Sequence, residues 1–247
     1  MFFQADPGTS WAGSIAACME YPHNRPYTAD DLVRIITLLR DPVNGCPWDK
    51  VQTHTSIRMN FLEEAYEAVD ALDLDDPVLM CEELGDVLMQ VAFHTCMEQE
   101  TGRFTWEQVC DGVCQKLIER HPNIFGTQPG YEGITDWDAL KNKEKGRRTL
   151  ADDLESVPRA MPALMRAAKL QKRAARHGAA LQGADAVALA DAAENLQTAQ
   201  PASAQAEQAV GELLFAAANL ARQAGVDPEQ ALQKANEAFC TAAGPVA

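Results

Sequence analysis

Positive charge is missing where this sequence is richest in negative charge. No lysine or arginine occurs between Met59 and Gly102, yet ten acidic residues fall between Glu63 and Asp86. Basic residues are scarce throughout: 21 Lys and Arg stand against 36 Asp and Glu, a net charge of −15 with the five histidines neutral. That balance excludes a basic face for wrapping nucleic acid. An anionic ligand remains possible through bound cations, which invert the local charge logic. Long apolar runs are also absent. Nothing reaches membrane-spanning length, and the stretch MFFQADPGTSWAGSIAACMEYPHNRPYTADD lacks the basic start and apolar core of a signal peptide. No membrane partner and a cytoplasmic location are expected. Residues 1–27 are expected to form a poorly ordered extension. The seven cysteines are odd in number and contain no C-x-x-C. A disulfide framework and a zinc site are thereby excluded, and a reduced compartment fits.

Strand-type runs are missing too, and the periodicity is helical almost throughout. The fold class is all-α. Thr28 with Asp31 can cap a first helix carrying Leu32, Val33, Ile35, Ile36, Leu38 and Leu39. RDPVNGCPWDKVQTH then breaks it with Pro and Gly. A second helix is expected from about Ser56 to Leu72, with Phe61, Leu62, Ala65, Tyr66 and Val69 on one broad face. A third runs from about Pro77 to Glu100, with Leu84, Val87, Leu88 and Val91 as core candidates. Thr105 and Gln108 form a capping box for a fourth that stops at RHPNIFG. A charged helix follows from about Trp137 to Arg148, then a Pro-started basic helix in SVPRAMPALMRAAKLQKRAARHG. Two helices fit the Ala- and Gln-rich region, near Asp185–Gln197 and Ala206–Ala224, and Asp227 with Pro228 starts a last one.

The acidic stretch is ordered. Glu64 and Glu67 are three apart, so they share one helix face, and Glu83 with Asp86 repeats the spacing on the next helix. The intervening residues suffice for a turn and an antiparallel return, which lets the two pairs face each other. Four converging carboxylates would repel and be poorly solvated unless cations joined them. All-oxygen ligands at this density suit Mg²⁺, with Mn²⁺ as a substitute, and not Zn²⁺. A solvated acidic face is the ordinary reading of an E-x-x-E pair, and it is kept for Asp70, Asp73, Asp75, Asp76 and Glu82. Gly85 inside the helix suggests close packing at a site, since glycine there costs about 1 kcal/mol against alanine. A di-iron bundle is excluded: it needs E-x-x-H repeats, and Glu20 with His23 is interrupted by Pro22.

CPWDKVQTH, LEEAYEAVDAL, EELGDVLMQVAFH and KLIERHPNIFG, taken together and in this order, resemble the MazG family of nucleoside triphosphate pyrophosphohydrolases. That family belongs to the all-α NTP pyrophosphatases, marked by E-E-x-x-E followed by E-x-x-D. The resemblance runs from about Leu32 to Lys145 and implies that Glu64, Glu67, Glu83 and Asp86 bind Mg²⁺. Glu63 completes the motif and would orient or deprotonate water as the catalytic residue. A nucleoside triphosphate needs cations to bridge it to carboxylates, and its hydrolysis to monophosphate and pyrophosphate needs a positioned water but no covalent nucleophile. Lys116 and Arg120, four apart before His121, and Lys141 and Lys145, with the same spacing, are candidates for the pyrophosphate. Lys143, Arg147 and Arg148 are assigned to solvated surface. Trp48 could stack on a base or anchor its loop, and Trp137 carries the same two readings. Asp49 could cap the loop or contact ligand. His54 is expected to be structural and His94 a satisfied core residue.

Two-copy members of the family repeat the fold. PALMRAAKLQKR, GELLFAAANLAR and ALQKANEAF look like a second copy, but VALAD stands where E-E-x-x-E is expected, and Ala209 and Glu212 in AVGE stand where E-x-x-D is expected. Alanine binds no metal. The expected organisation is therefore two tandem helical bundles: a catalytic domain over 28–150 and a degenerate, structural or dimerising domain over 151–247. Homodimerisation would complete the active bundle. The rival readings are a related all-α pyrophosphohydrolase acting on dUTP or phosphoribosyl-ATP, and a nucleotide-binding or scaffold protein that has lost turnover.

Overall fold

A computed structural model describes residues 20–23, 25–126, 140 and 144–244. Every regular element among them is helical and none is a strand. No helix of the described residues is long and apolar enough to cross a membrane. The chain divides into two compact units, Met1–Gly133 and Ile134–Ala247, ahead of the 150/151 division expected from the two-copy resemblance.

The first unit is built from α1 (Ala29–Leu39), α2 (His54–Asp73), α3 (Pro77–Glu100), α4 (Trp106–Arg120) and the short α5 (Pro122–Phe125). Local chemistry fixes where the helices start. Thr28 and Asp31 form a reciprocal capping box on α1, and Thr105 and Gln108 do the same on α4. Helix α2 begins two residues earlier than its apolar pattern indicates, because Thr53 and Ser56 cap each other there. Asp76 caps α3, with Pro77 in its first turn. Each such cap is worth about 1 kcal/mol. The link between α2 and α3 is only Leu74–Asp76, turned by Asp75 at φ 53°.

The core gathers Ile36 of α1, Ile57 of α2, Ala92, Phe93, Cys96 and Met97 of α3, and Trp106 of α4. Burying each large apolar side chain contributes roughly 1.5–3 kcal/mol. The α3 core therefore lies in its second half. Leu84 and Leu88, expected inside, are exposed, and Val87 and Val91 are half-buried. The reason is geometric: α1 and α4 close over the second half of α3, where Ile36 and Trp106 meet Phe93, Cys96 and Met97.

The second unit contains α6 (Leu150–Glu155), α7 (Ala163–Arg176), α8 (Ala186–Thr198), α9 (Ala204–Gln223) and α10 (Pro228–Ala243). Helix α6 is not among the helices expected from the apolar periodicity, although Thr149 and Asp152 form its capping box. Asp185 and Asp227 cap α8 and α10. Small residues let α8 and α9 approach: Ala192, Ala209, Ala216 and Ala218 are all buried. Buried amides tie the frame, with Gln171 Nε2 donating to Phe215 O at 2.7 Å and Asn219 Nδ2 to Ala184 O at 2.6 Å. Half of the helix expected over Trp137–Arg148 lies outside the described residues; Leu140 and Glu144 are helical, but Lys145–Arg148 are turn and loop, so the helix stops short of Arg148. Most of the 1–27 extension also lies outside the described residues.

Candidate metal centre

Helices α2 and α3 form an antiparallel hairpin, with His54 beside His94 at one end and Glu64 beside Glu83 and Asp86 further along. One carboxylate oxygen from each of Glu64, Glu83 and Asp86 falls within 4.8 Å of the other two. Among the described residues this is the one group of three or more His, Cys, Asp or Glu drawn so close. All three are half-buried. Glu67 stands outside this tight set and is exposed, but its charge acts on both glutamates. Glu63 is exposed on the same helix, with no part in the cluster.

The electrostatics follow from that crowding. Desolvation, and then the charges of Asp86, Glu67 and Glu83, hold the Glu64 carboxyl above its ordinary range. Desolvation, and then Glu67, Asp86 and Glu82, push Glu83 the same way. Such a set resists full ionisation alone and accepts it beside a divalent cation. The donors are all oxygen, which fits Mg²⁺ or Mn²⁺. Gly85 is not explained by crowding: a Cβ there would meet nothing within 4 Å.

About two to three turns along the hairpin is a second polar group. His54 Nδ1 lies 2.7 Å from His94 Nδ1, and the rings stack at 5.0 Å between centroids. His54 Nε2 lies 2.5 Å from Glu98 Oε1, and Arg103 Nη2 donates to the same oxygen at 2.6 Å. Both histidines are thus structural, and they satisfy each other. Desolvation, and then His54, lower the His94 pKa below 6.5. The unfolded imidazole therefore takes up a proton first as pH falls below about 6.5, so stability falls with pH in that window. Between pH 7 and 5.5 the wild type should lose melting temperature relative to His94→Gln, since the raised Glu64 and Glu83 contribute equally to both. Equal slopes in a thermal scan would contradict this coupling.

The basic candidates are distributed over both units. Lys116 is exposed on α4, and Arg120, half-buried, closes its last turn. Lys145 is exposed in the second unit. Trp137 and Lys141 lie outside the described residues.

Trp48 sits in the loop between α1 and α2, its ring 6.5 Å from Phe93 in edge contact, and it stays 44% exposed. The loop is tight. Asp41 Oδ1 accepts from the Val43 and Asn44 amides, and a Cβ on Gly45 would lie 2.4 Å from Asp41 O and 2.5 Å from Leu39 O. Arg40, which the sequence does not single out, is buried beneath this loop. Its one legible signal is a basic residue directly after the apolar run of α1.

Comparison with known proteins gives these residues a context. Residues 52–125 match the model of the MazG nucleotide pyrophosphohydrolase domain. The chain is 41% identical over 219 residues to a nucleoside triphosphate pyrophosphohydrolase of Escherichia coli (strain K12), covering 85% of this chain and 83% of that one. It is 39% identical over 212 residues to the nucleoside triphosphate pyrophosphohydrolase/pyrophosphatase MazG of Thermotoga maritima, covering 85% and 82%. A nucleoside triphosphate pyrophosphohydrolase of Mycobacterium tuberculosis is 35% identical over 151 residues, 60% of this chain and 46% of that one.

Proposed function

The chain belongs to the MazG family, and on that premise we propose that it hydrolyses nucleoside or deoxynucleoside triphosphates to monophosphate and pyrophosphate, using Mg²⁺ held by the first unit. The observation that carries the assignment is the convergence of Glu64, Glu83 and Asp86 within 4.8 Å across the α2–α3 hairpin. Those three would hold the metal, and Glu67 would reach it from one turn further along α2. When bound, the metal supplies charge neutralisation and polarises the phosphate oxygens. Glu63 would orient or deprotonate the attacking water. Its exposed position is compatible with a solvent-derived nucleophile. Lys116 and Arg120, one turn apart on α4, would meet the charge developing on pyrophosphate. Trp48 would stack on the base.

The second unit fits a degenerate copy. Ala209, at an expected acidic position, is 2% exposed. Asp191 and Glu212 are exposed on separate helices and join no ligand cluster among the described residues. A homodimer fits the first unit. Tyr66, Val69 and Leu72 on α2 and Leu84 and Leu88 on α3 are exposed apolar side chains, and a second copy would cover them.

Turnover of a panel of nucleoside and deoxynucleoside triphosphates with Mg²⁺ tests this reading. Pyrophosphate release that stops on chelation supports it. Tight nucleotide binding with no release of pyrophosphate from any member of the panel would instead describe a nucleotide-binding protein without turnover.

A further inference from the structure

Arg40 donates four directed hydrogen bonds, yet it lies outside the proposed site. Its side chain is buried. Nε and Nη2 grip the two carboxylate oxygens of Glu100 at 2.5 and 2.8 Å. Nη1 donates to Asp49 O at 2.8 Å and to Gln52 O at 3.1 Å. The guanidinium carbon lies 5.4 Å from the centroid of the Phe93 ring. One planar group thus joins three things: the C-terminal end of α3, the core ring Phe93, and the carbonyls of the first residue of the 3₁₀ turn Asp49–Val51 and of Gln52 just after it. Trp48 is the residue that immediately precedes that turn, and its ring meets the same Phe93. Gln52 Nε2 returns a bond to Trp48 O at 2.9 Å, so the turn and the tryptophan move as one piece.

The geometry points to Arg40 as a positioning residue for substrate binding: it fixes the 41–53 loop so that the Trp48 ring is held at one place on Phe93. This rests on the reading of Trp48 as a base-stacking residue. Phe93 follows Asp86 by seven residues, about 10 Å along α3, a span on the scale of a nucleoside between the metal-binding carboxylates and the aromatic platform. Lysine cannot replace this arginine. It keeps the charge and the stem over Phe93, but it has one nitrogen where the site uses three in a fixed fork. A loose loop would cost ordering on every binding event, in ground state and transition state alike, so the loss should fall on KM and not on kcat.

The test is a double-mutant cycle in the full-length protein, with Mg²⁺ and the best nucleoside triphosphate of the panel. Trp48→Ala should raise KM about ten-fold or more, as removal of a stacking partner does. Arg40→Lys should raise KM about five-fold with kcat within about two-fold, and should add nothing in the Trp48→Ala background. Glu100→Gln, which loosens Arg40 from its exposed side, should reproduce the Arg40→Lys effect in milder form. It carries the cycle if Arg40→Lys does not fold. Additive KM effects of Arg40→Lys and Trp48→Ala, or a fall in kcat at constant KM, would overturn the inference, as would unchanged KM in both Arg40→Lys and Glu100→Gln. An unchanged KM in Trp48→Ala alone removes the base-stacking reading. In that case a raised KM in Arg40→Lys also refutes the route through Trp48, so the two failures are told apart.

Discussion

Replacing Glu64 by Gln, or Asp86 by Asn, should lower pyrophosphate release by a factor on the order of 10²–10³ or more, as loss of a group that bears on the developing charge does. Neither change should destabilise the metal-free chain. Burial and the neighbouring carboxylates raise the Glu64 pKa in the fold. A carboxyl whose folded value lies above its unfolded one loses stability as pH rises through the folded value. At neutral pH its ionised form is therefore a burden, and glutamine imitates the protonated form. Asp86→Asn acts from the other side by removing the largest charge that presses on Glu64. Mg²⁺ should raise the melting temperature of the wild type, because it binds the native carboxylates, and should do so less in either variant. Thermal melts in chelator and in Mg²⁺, beside steady-state rates, separate a ligand role from a structural one. Variants that keep wild-type turnover would remove the site from this hairpin.

Asp153→Ala should destabilise the second unit by about 3–5 kcal/mol, the usual cost of stripping one partner from a buried ion pair. Asp153 is 1% exposed. Arg173 Nη1 lies 3.0 Å from Oδ1, and Arg176 Nη2 and His177 Nε2 lie 3.3 and 3.2 Å from Oδ2. Arg173 also donates to the Asp153 carbonyl at 2.5 Å and to Ser156 Oγ. One carboxylate thus ties α6 to the end of α7 through three cationic or ionisable groups, and its loss strands the buried Arg173. Because the proposed active site lies in the first unit, turnover per folded chain should be unchanged below the melting transition. A melt monitored alongside pyrophosphate release checks both halves. Loss of turnover in fully folded Asp153→Ala would place part of the chemistry in the second unit.

Much of this architecture is legible from local chemistry. Thr28 with Asp31, Thr105 with Gln108, and Asp227 with Pro228 announce helix starts, because capping involves residues three or fewer apart. The three-residue spacing of Glu64 and Glu67, and of Glu83 and Asp86, likewise sets each pair on one face. What local pattern cannot give is the identity of the neighbour. Leu84 and Leu88 read as core by periodicity, yet α1 and α4 close over Phe93, Cys96 and Met97 instead. His54 and His94 each read as structural, but their pairing spans 40 residues. Arg40 meets Glu100 across 60 and is silent in sequence for the same reason. Helix α6 was legible through Thr149 and Asp152, but its six residues are too short for an apolar period to stand out.

The most direct test of the central claim is phosphorus NMR of the products formed by the full-length protein from a nucleoside triphosphate and Mg²⁺, compared with Glu64→Gln under the same conditions. The account predicts monophosphate and pyrophosphate in equal amounts from the wild type, neither diphosphate nor orthophosphate, and no product from the variant. Diphosphate with orthophosphate, or pyrophosphate formation that survives in Glu64→Gln, would contradict it.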